Sequence, residues 1–268
     1  MIANRLSLVF CCLILSLFST AYAQPSADTA FYRQSLARLS EIYSKDMGAG
    51  NRLYTGAEYP GAGQRAKGSP FFLSDNPLPG SVVYQGEAYD NLDLQYDLQT
   101  GVLLIRDEVH SHTIELTKEK VTRFDIALHD FWYLAPSQAG TPSQAGTLAQ
   151  PGNPAQPYPS NRSPDAVEAG YYERLNTAPP FLFARREKKI TFPASAEEQA
   201  YYQSINTYLI QLGDRFYRVE SKSGLLDVLR DKKDPLKKFI RGNHQVNFKR
   251  AFEQAMITTI AYYAQIRN

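Results

Sequence analysis

The sequence predicts an α+β domain: an antiparallel β meander, a curved sheet or partial barrel of about eight to ten strands, with an N-terminal helix and a C-terminal helical cluster. Two observations predict it. From Val82 onward, short apolar runs alternate with turn residues at spacings too short for crossover helices, so neighbouring strands must pair antiparallel. Near the end of the chain, apolar residues recur every three or four positions, which is typical of helices packed on a core.

The first 23 residues have the pattern of a secretory signal peptide. Arg5 is followed by the apolar run 6–18, and Ala21-Tyr22-Ala23 predicts cleavage after Ala23. The apolar run is too short to cross a bilayer, and no stretch of about 18 apolar residues follows it. Both cysteines, Cys11 and Cys12, fall in this segment, so residues 24–268 contain none. We therefore expect an exported, disulfide-free protein in the periplasm or envelope, without a transmembrane anchor.

The predicted N-terminal helix spans about residues 28–46. Tyr32, Leu36 and Leu39 lie on one stripe of it, and Asp28 is placed to cap its start. The segment 51–80 is rich in glycine and proline, which predicts an irregular loop with short extended pieces.

The sheet is predicted from alternating apolar residues and from the turn pairs between them. Gln85-Gly86, Thr100-Gly101 and Gly213-Asp214 are the clearest turns. The predicted strands are 82–84, 92–98, 102–105, 113–117, 121–127, 131–134, 171–175, 181–184, 189–192, 208–212 and 216–219.

A Pro/Gly/Ser/Gln-rich segment interrupts the predicted domain at about residues 137–165. The hexapeptide 136–141 is repeated unchanged as 142–147, and prolines follow among polar residues. Such a stretch has almost no apolar side chains to bury, so we predict a disordered insert within a single domain spanning 24–268.

The C-terminal part predicts three helical pieces. The first is 224–230 with Ser223 as cap, and the second begins at Asp234 and ends at Gly242. Asn247 is placed to cap the last helix. The apolar stripe of that helix consists of Phe248, Phe252, Met256, Ile260, Tyr263 and Ile266.

The distribution of charge suggests one class of partner. Without Arg5 the chain has 28 Lys and Arg against 27 Asp and Glu, and such near-neutrality argues against nucleic-acid binding. Residues 218–250, however, contain ten Lys and Arg against four acids. This excess indicates either a solvated helix face or contact with an anionic envelope component, such as a lipid head group or a polyanionic glycan.

No motif identifies a metal or cofactor site. His110 and His112 would lie on one face of a strand, with His129 and Glu108 as possible further ligands. No established metal-binding spacing accompanies them, so we assign no metal ligand and no cofactor.

Catalytic chemistry is equally unsupported. Asp93 and Asp97 are the best-placed acids of the cluster Asp90, Asp93, Asp97, Asp107 and Glu108, but alternation puts them with Gln95 on the polar, solvated side of a strand. Ser195 lacks the G-x-S-x-G pattern of a nucleophile elbow. We therefore assign no catalytic residue.

Several short motifs together resemble a family of exported Bacteroidota proteins of unknown function. They are Leu53-Tyr54-x-Gly56-x-x-Tyr59, Lys67-Gly68-x-Pro70-Phe71-Phe72, Gly80-Ser81-Val82-x-Tyr84-x-Gly86-x-x-Tyr89, Leu94-x-Tyr96-Asp97, Phe216-Tyr217-x-Val219-x-Ser221-Lys222, Asp231-Lys232-Lys233 and Leu236-Lys237-Lys238-Phe239-Ile240. The resemblance spans most of the chain after residue 23. It implies export, and it implies no activity, ligand or catalytic residue.

The sequence thus favours an exported, non-enzymatic envelope protein that binds or scaffolds another component. The alternative is an envelope hydrolase acting on glycan or peptide, which would rely on Asp93 and Asp97.

Overall fold

The computed structural model describes residues 34–36, 38–39, 52–61, 66–107, 111–137, 163–195 and 198–267. The predicted signal peptide, His110 and most of the predicted insert lie outside these residues. The chain divides into one unit up to Asn51 and a second from Arg52 to Asn268. In the first unit, residues 34–36 and 38–39 are helical, within the predicted helix 28–46. The other residues of that helix lie outside the described part.

The second unit contains an eleven-stranded sheet and three helices. The strands are β1 (Ala57–Glu58), β2 (Leu78–Tyr84), β3 (Glu87–Asp97), β4 (Val102–Asp107), β5 (His112–Glu115), β6 (Val121–Ile126), β7 (His129–Leu134), β8 (Gly170–Arg174), β9 (Phe181–Thr191), β10 (Tyr201–Leu212) and β11 (Arg215–Arg218). The helices are α1 (Lys222–Val228), α2 (Lys233–Gly242) and α3 (Phe252–Arg267). Short 3₁₀ turns cover Arg52–Thr55, Lys118–Lys120 and Arg230–Lys232.

All strand pairs are antiparallel, in the order β1-β5-β4-β3-β2-β6-β7-β8-β9-β10-β11. Two runs of hairpin-connected strands therefore meet where β2 pairs with β6. The antiparallel sheet is confirmed, with one strand more than the expected range. The two-residue strand β1 lies in segment 51–80, where we expected short extended pieces, and the predicted strands 181–184 and 189–192 form the single strand β9.

Strands β9 and β10 are longer than predicted. The sequence suggested a break between 184 and 189, yet β9 continues through it and pairs with β10 from Phe181↔Gln211 to Thr191↔Tyr201. Three charged residues in the middle of β9 have partners outside it. Arg185 and Arg186 bind carboxylates of other elements, and the Lys188 ammonium donates to the carbonyls of Ser69 and Phe71 at 2.8 and 2.6 Å. These side chains therefore do not interrupt the strand, and the backbone of β9 pairs with β10 along its length.

Three predicted helix starts are wrong by a few residues. Helix α1 is capped by Ser221, whose hydroxyl accepts from the Gly224 amide at 3.1 Å, rather than by Ser223. Helix α2 begins at Lys233, so Asp234 lies inside its first turn. Asn247 accepts from two backbone amides of the turn 248–250, and α3 begins only at Phe252. A side-chain oxygen serves any nearby free amide, so a capping residue marks a boundary only approximately.

The core consists of two main clusters that meet around β8. The first is formed by β2 to β7 and is rich in aromatic rings, with Phe124 and Phe131 stacked at 4.8 Å and Tyr171 edge-on to Phe124. The second joins β9 to β11 to the helices, where Met256 and Ile260 of the predicted stripe are fully buried. A third, smaller cluster lies on the opposite sheet face, since neighbouring residues of a strand point to opposite sides.

The two ends of the predicted insert are held together. The backbone amides of Ser137 and Val167 donate to each other's carbonyls at 3.0 and 3.2 Å. A loop between such paired ends can change length without disturbing the sheet.

Candidate functional site

The histidines considered as metal ligands do not converge. His112 is exposed at the start of β5, with its Nδ1 3.1 Å from Glu58 Oε1. His129 lies on β7 and pairs instead with Glu173. Among the described residues, no group of three or more His, Cys, Asp or Glu side chains is placed to hold a metal ion. His110 and Glu108 lie outside those residues, so their role is untested.

Asp97 is not on a solvated face, and this prediction was wrong. Its side chain is only 1% exposed. The Tyr59 hydroxyl donates to Oδ2 at 2.9 Å, and the amides of Gln99 and Thr100 donate to Oδ1 at 2.8 and 3.2 Å. Asp97 thus closes the β3–β4 turn, where three donors hold a carboxylate that the low-dielectric core would otherwise disfavour.

Asp93 is exposed, as predicted, and lines an open pocket of about 410 Å³ together with Asn76, Pro77 and Arg106. Asp97 is not part of its lining. The two carboxylates considered for acid catalysis are therefore in different environments. Asp93 is solvated, whereas Asp97 is buried and accepts hydrogen bonds from the amides of the β3–β4 turn.

A polar network that the sequence did not reveal joins five separate elements. His129 Nδ1 lies 2.5 Å from Glu173 Oε1, and the Arg186 guanidinium donates to Glu173 Oε2 at 2.6 Å. Arg186 also binds both oxygens of Glu253, at 2.6 and 3.1 Å. The Tyr208 hydroxyl completes the network by donating to Glu253 at 2.9 Å. Elements β7, β8, β9, β10 and α3 are thus connected through one guanidinium.

The electrostatics of this network favour its charged form. Burial alone would raise the pKa of Glu253, but the hydrogen bonds and charge of Arg186 outweigh it and lower that pKa. Burial likewise opposes the charge on Arg186, yet its two carboxylate partners raise its pKa. Arg186 and Glu253 therefore form an ion pair in which both side chains are charged at neutral pH.

The network lies where the two main hydrophobic clusters meet. The His129 ring packs edge-on against Phe72 of the first cluster, with centroids 5.0 Å apart. Tyr208 packs against Phe252 of the second, with centroids 5.6 Å apart. Each charged group of the network has a partner, so the arrangement positions α3 on the sheet.

The basic region predicted from the sequence lies on the helical cluster. We use the name basic helical face for the seven cations of residues 218–250 that make no ion pair within the described part of the chain. They are Lys222, Arg230, Lys232, Lys238, Arg241, Lys249 and Arg250. All but Lys232 are exposed.

The acids of the same region are already engaged. Asp227 binds Lys233 at 2.6 Å, and Asp234 lies 3.6 Å from Lys237. Asp231 accepts hydrogen bonds from the Tyr263 hydroxyl at 3.0 and 3.1 Å. The four acids of residues 218–250 offset at most four of the ten cations there, so the region keeps an excess of six positive charges.

Helix α2 shows why these cations stay in water. Leu236 and Ile240 are buried on its inner side, so residues 237, 238 and 241 fall on the outer side of the 3.6-residue period. The pattern that fixes the helix on the core also directs its lysines and arginine outward.

Comparison with known proteins found no matching family model, no matching curated protein and no matching solved structure. In the described residues, no helix has the length and apolar character needed to cross a membrane.

Proposed function

We propose that this chain is an exported, non-enzymatic binding protein of the cell envelope, and that its basic helical face binds an anionic envelope component. One observation supports this most directly: seven cations of one helical cluster have no acidic partner there, while the acids around them are engaged.

The physical basis is electrostatic attraction over a surface. A lysine or arginine near an anionic membrane contributes about 1 kcal/mol, and the contribution falls off within roughly 8 Å at physiological salt. Several such cations held by the folded helical cluster act together without further ordering of the chain.

The test measures binding of residues 24–268 to a soluble polyanion, dextran sulfate, at increasing NaCl concentration. Affinity should fall steeply with salt, and the Lys238→Glu/Arg241→Glu variant should bind at least tenfold more weakly. Lys120→Glu/Lys189→Glu is the matched control, because it makes the same charge change at exposed positions outside residues 218–250.

Equal losses in the two variants would show that only net charge matters and would refute a specific face. Absence of binding by the wild-type protein, to dextran sulfate and to anionic vesicles alike, would refute the proposal altogether.

No observation in the described residues favours the alternative, an envelope hydrolase acting on glycan or peptide. It relied on Asp93 and Asp97, and the Asp97 oxygens are already occupied by Tyr59 and two backbone amides.

A further inference from the structure

Two leucines are exposed in turns that do not favour leucine. Leu128, at the tip of the β6–β7 hairpin, is 98% exposed with φ +72°, and Leu73 is 62% exposed with φ +59°. Both lie in the left-handed backbone region, which glycine and asparagine adopt far more readily than a leucine. Neither position gains stability from burial, so packing does not explain the presence of an apolar side chain.

The two leucines lie at the same end of the sheet. Phe72, next to Leu73, packs against the ring of His129, next to Leu128, with centroids 5.0 Å apart. The apolar side chains therefore extend from two turns that touch each other.

Two cations of the basic helical face are connected to this end through side-chain contacts. The contacts from His129 through Glu173 and Arg186 to Glu253 link β7, just after the β6–β7 turn, to the first turn of α3. Lys249 and Arg250 occupy the turn immediately before that helix and are exposed.

The acids near the two leucines have basic partners. Glu173 and Glu253 share Arg186, and Asp130 binds both Arg123 and Arg174. Asp75, two residues after Leu73, is exposed, and it lies close enough to the Lys188 ammonium to act on its charge. The attraction to an anionic surface therefore has to come from Lys249 and Arg250.

We propose that Leu73 and Leu128 insert into the surface of an anionic lipid membrane while Lys249 and Arg250 contact its head groups. This inference rests on the proposed function and identifies the anionic component as lipid. A polyanionic glycan would contact the cations alone, whereas a lipid membrane would also bury the leucine side chains in hydrocarbon, which is favourable. Stable peripheral binding generally needs two signals, and here one is apolar and the other basic.

The test uses residues 24–268 and vesicles of phosphatidylcholine with and without 30% phosphatidylglycerol, in a co-sedimentation assay. Wild-type protein should bind only the anionic vesicles. Leu73→Asn and Leu128→Asn should each reduce vesicle affinity about tenfold. Asparagine tolerates the left-handed backbone, so both variants should fold normally, which thermal unfolding checks.

Phe192→Asn is the matched control, since Phe192 is also apolar and is 71% exposed, at the end of β9. Its vesicle affinity should equal that of the wild type. If the leucine variants bind anionic vesicles as tightly as the wild type, the insertion is refuted while the basic helical face can still stand. If the wild type binds dextran sulfate but no vesicle, the partner is a glycan and this inference is overturned; binding to neither overturns both proposals.

Discussion

Arg186→Met tests whether the polar network holds the helices on the sheet. The methionine keeps much of the buried stem of Arg186 but removes the guanidinium, whose side chain is 13% exposed. Glu173, at 5% exposure, would then retain only His129, and Glu253 only the Tyr208 hydroxyl. Breaking a buried ion pair costs ~3–5 kcal/mol. Because the Glu253 side chain is 32% exposed and water screens it, we expect a loss near the lower end, about 3 kcal/mol.

Urea unfolding followed by tryptophan fluorescence measures this loss. Trp132 is the single tryptophan and lies on β7, so it reports on the sheet directly. For a domain of this size, ~3 kcal/mol corresponds to a decrease of about 6–12 °C in Tm. Arg106→Met is the control, since Arg106 is exposed and makes no ion pair within the described residues; its effect should stay within about 0.5 kcal/mol.

The pH dependence gives a second, independent readout. The pKa of Glu253 is lower in the folded than in the unfolded chain, so its ionised form contributes stability above the unfolded value. That contribution is lost as pH falls below about 4.5 towards the folded pKa. Arg186→Met should therefore destabilise less at pH values below about 4.5 than at pH 7. A loss below about 1 kcal/mol at pH 7, or additive effects of Arg186→Met and Glu253→Gln in a double-mutant cycle, would refute the reasoning.

Three further predictions concern the turns. Tyr59→Phe removes the hydroxyl that donates to buried Asp97 and should cost about 2 kcal/mol in urea unfolding, whereas an unchanged midpoint would mean that water replaces the hydroxyl. Leu128→Asn relieves a left-handed leucine and should stabilise by about 0.5–1 kcal/mol, and a decrease in Tm would contradict the assigned backbone. Deleting the second hexapeptide, 142–147, should change stability by less than about 0.5 kcal/mol, since loop closure depends weakly on length; a larger loss would show that the repeat packs on the domain.

Local patterns predicted most of the sheet, because alternation and turn residues act over a few positions. The turns at Gln85-Gly86 and Gly213-Asp214 appear where the sequence placed them. The prediction that Asp97 is solvated was wrong because its environment depends on Tyr59, 38 residues away. Alternation within one strand cannot reveal such a partner. The continuity of β9 was not predicted for the same reason: the Lys188 ammonium donates to carbonyls more than 100 residues earlier in the chain.

The basic helical face and the polar network also differed in how far the sequence could predict them. The basic helical face was visible in the sequence because its cations fall within the single window 218–250. The network was not, because Arg186 and Glu253 are 67 residues apart and β8 supplies the third member. The one available signal was Glu173, which shares a strand face with the core residue Tyr171 and so had to be buried with a partner.

The network also connects stability to the proposed membrane contact. Arg186 links Glu253, at the start of α3, through Glu173 to His129, which follows the β6–β7 turn that presents Leu128. If both signals must meet one lipid surface, loosening this connection should weaken vesicle binding although Arg186 touches no lipid. We expect Arg186→Met, assayed at a temperature where it is fully folded, to bind anionic vesicles severalfold more weakly than the wild type. Tyr171→Phe removes a hydroxyl that donates to the Lys118 carbonyl at 3.1 Å, at the opposite end of β6 from Leu128. This variant should bind normally, and equal affinities for the two variants would show that the network serves folding alone.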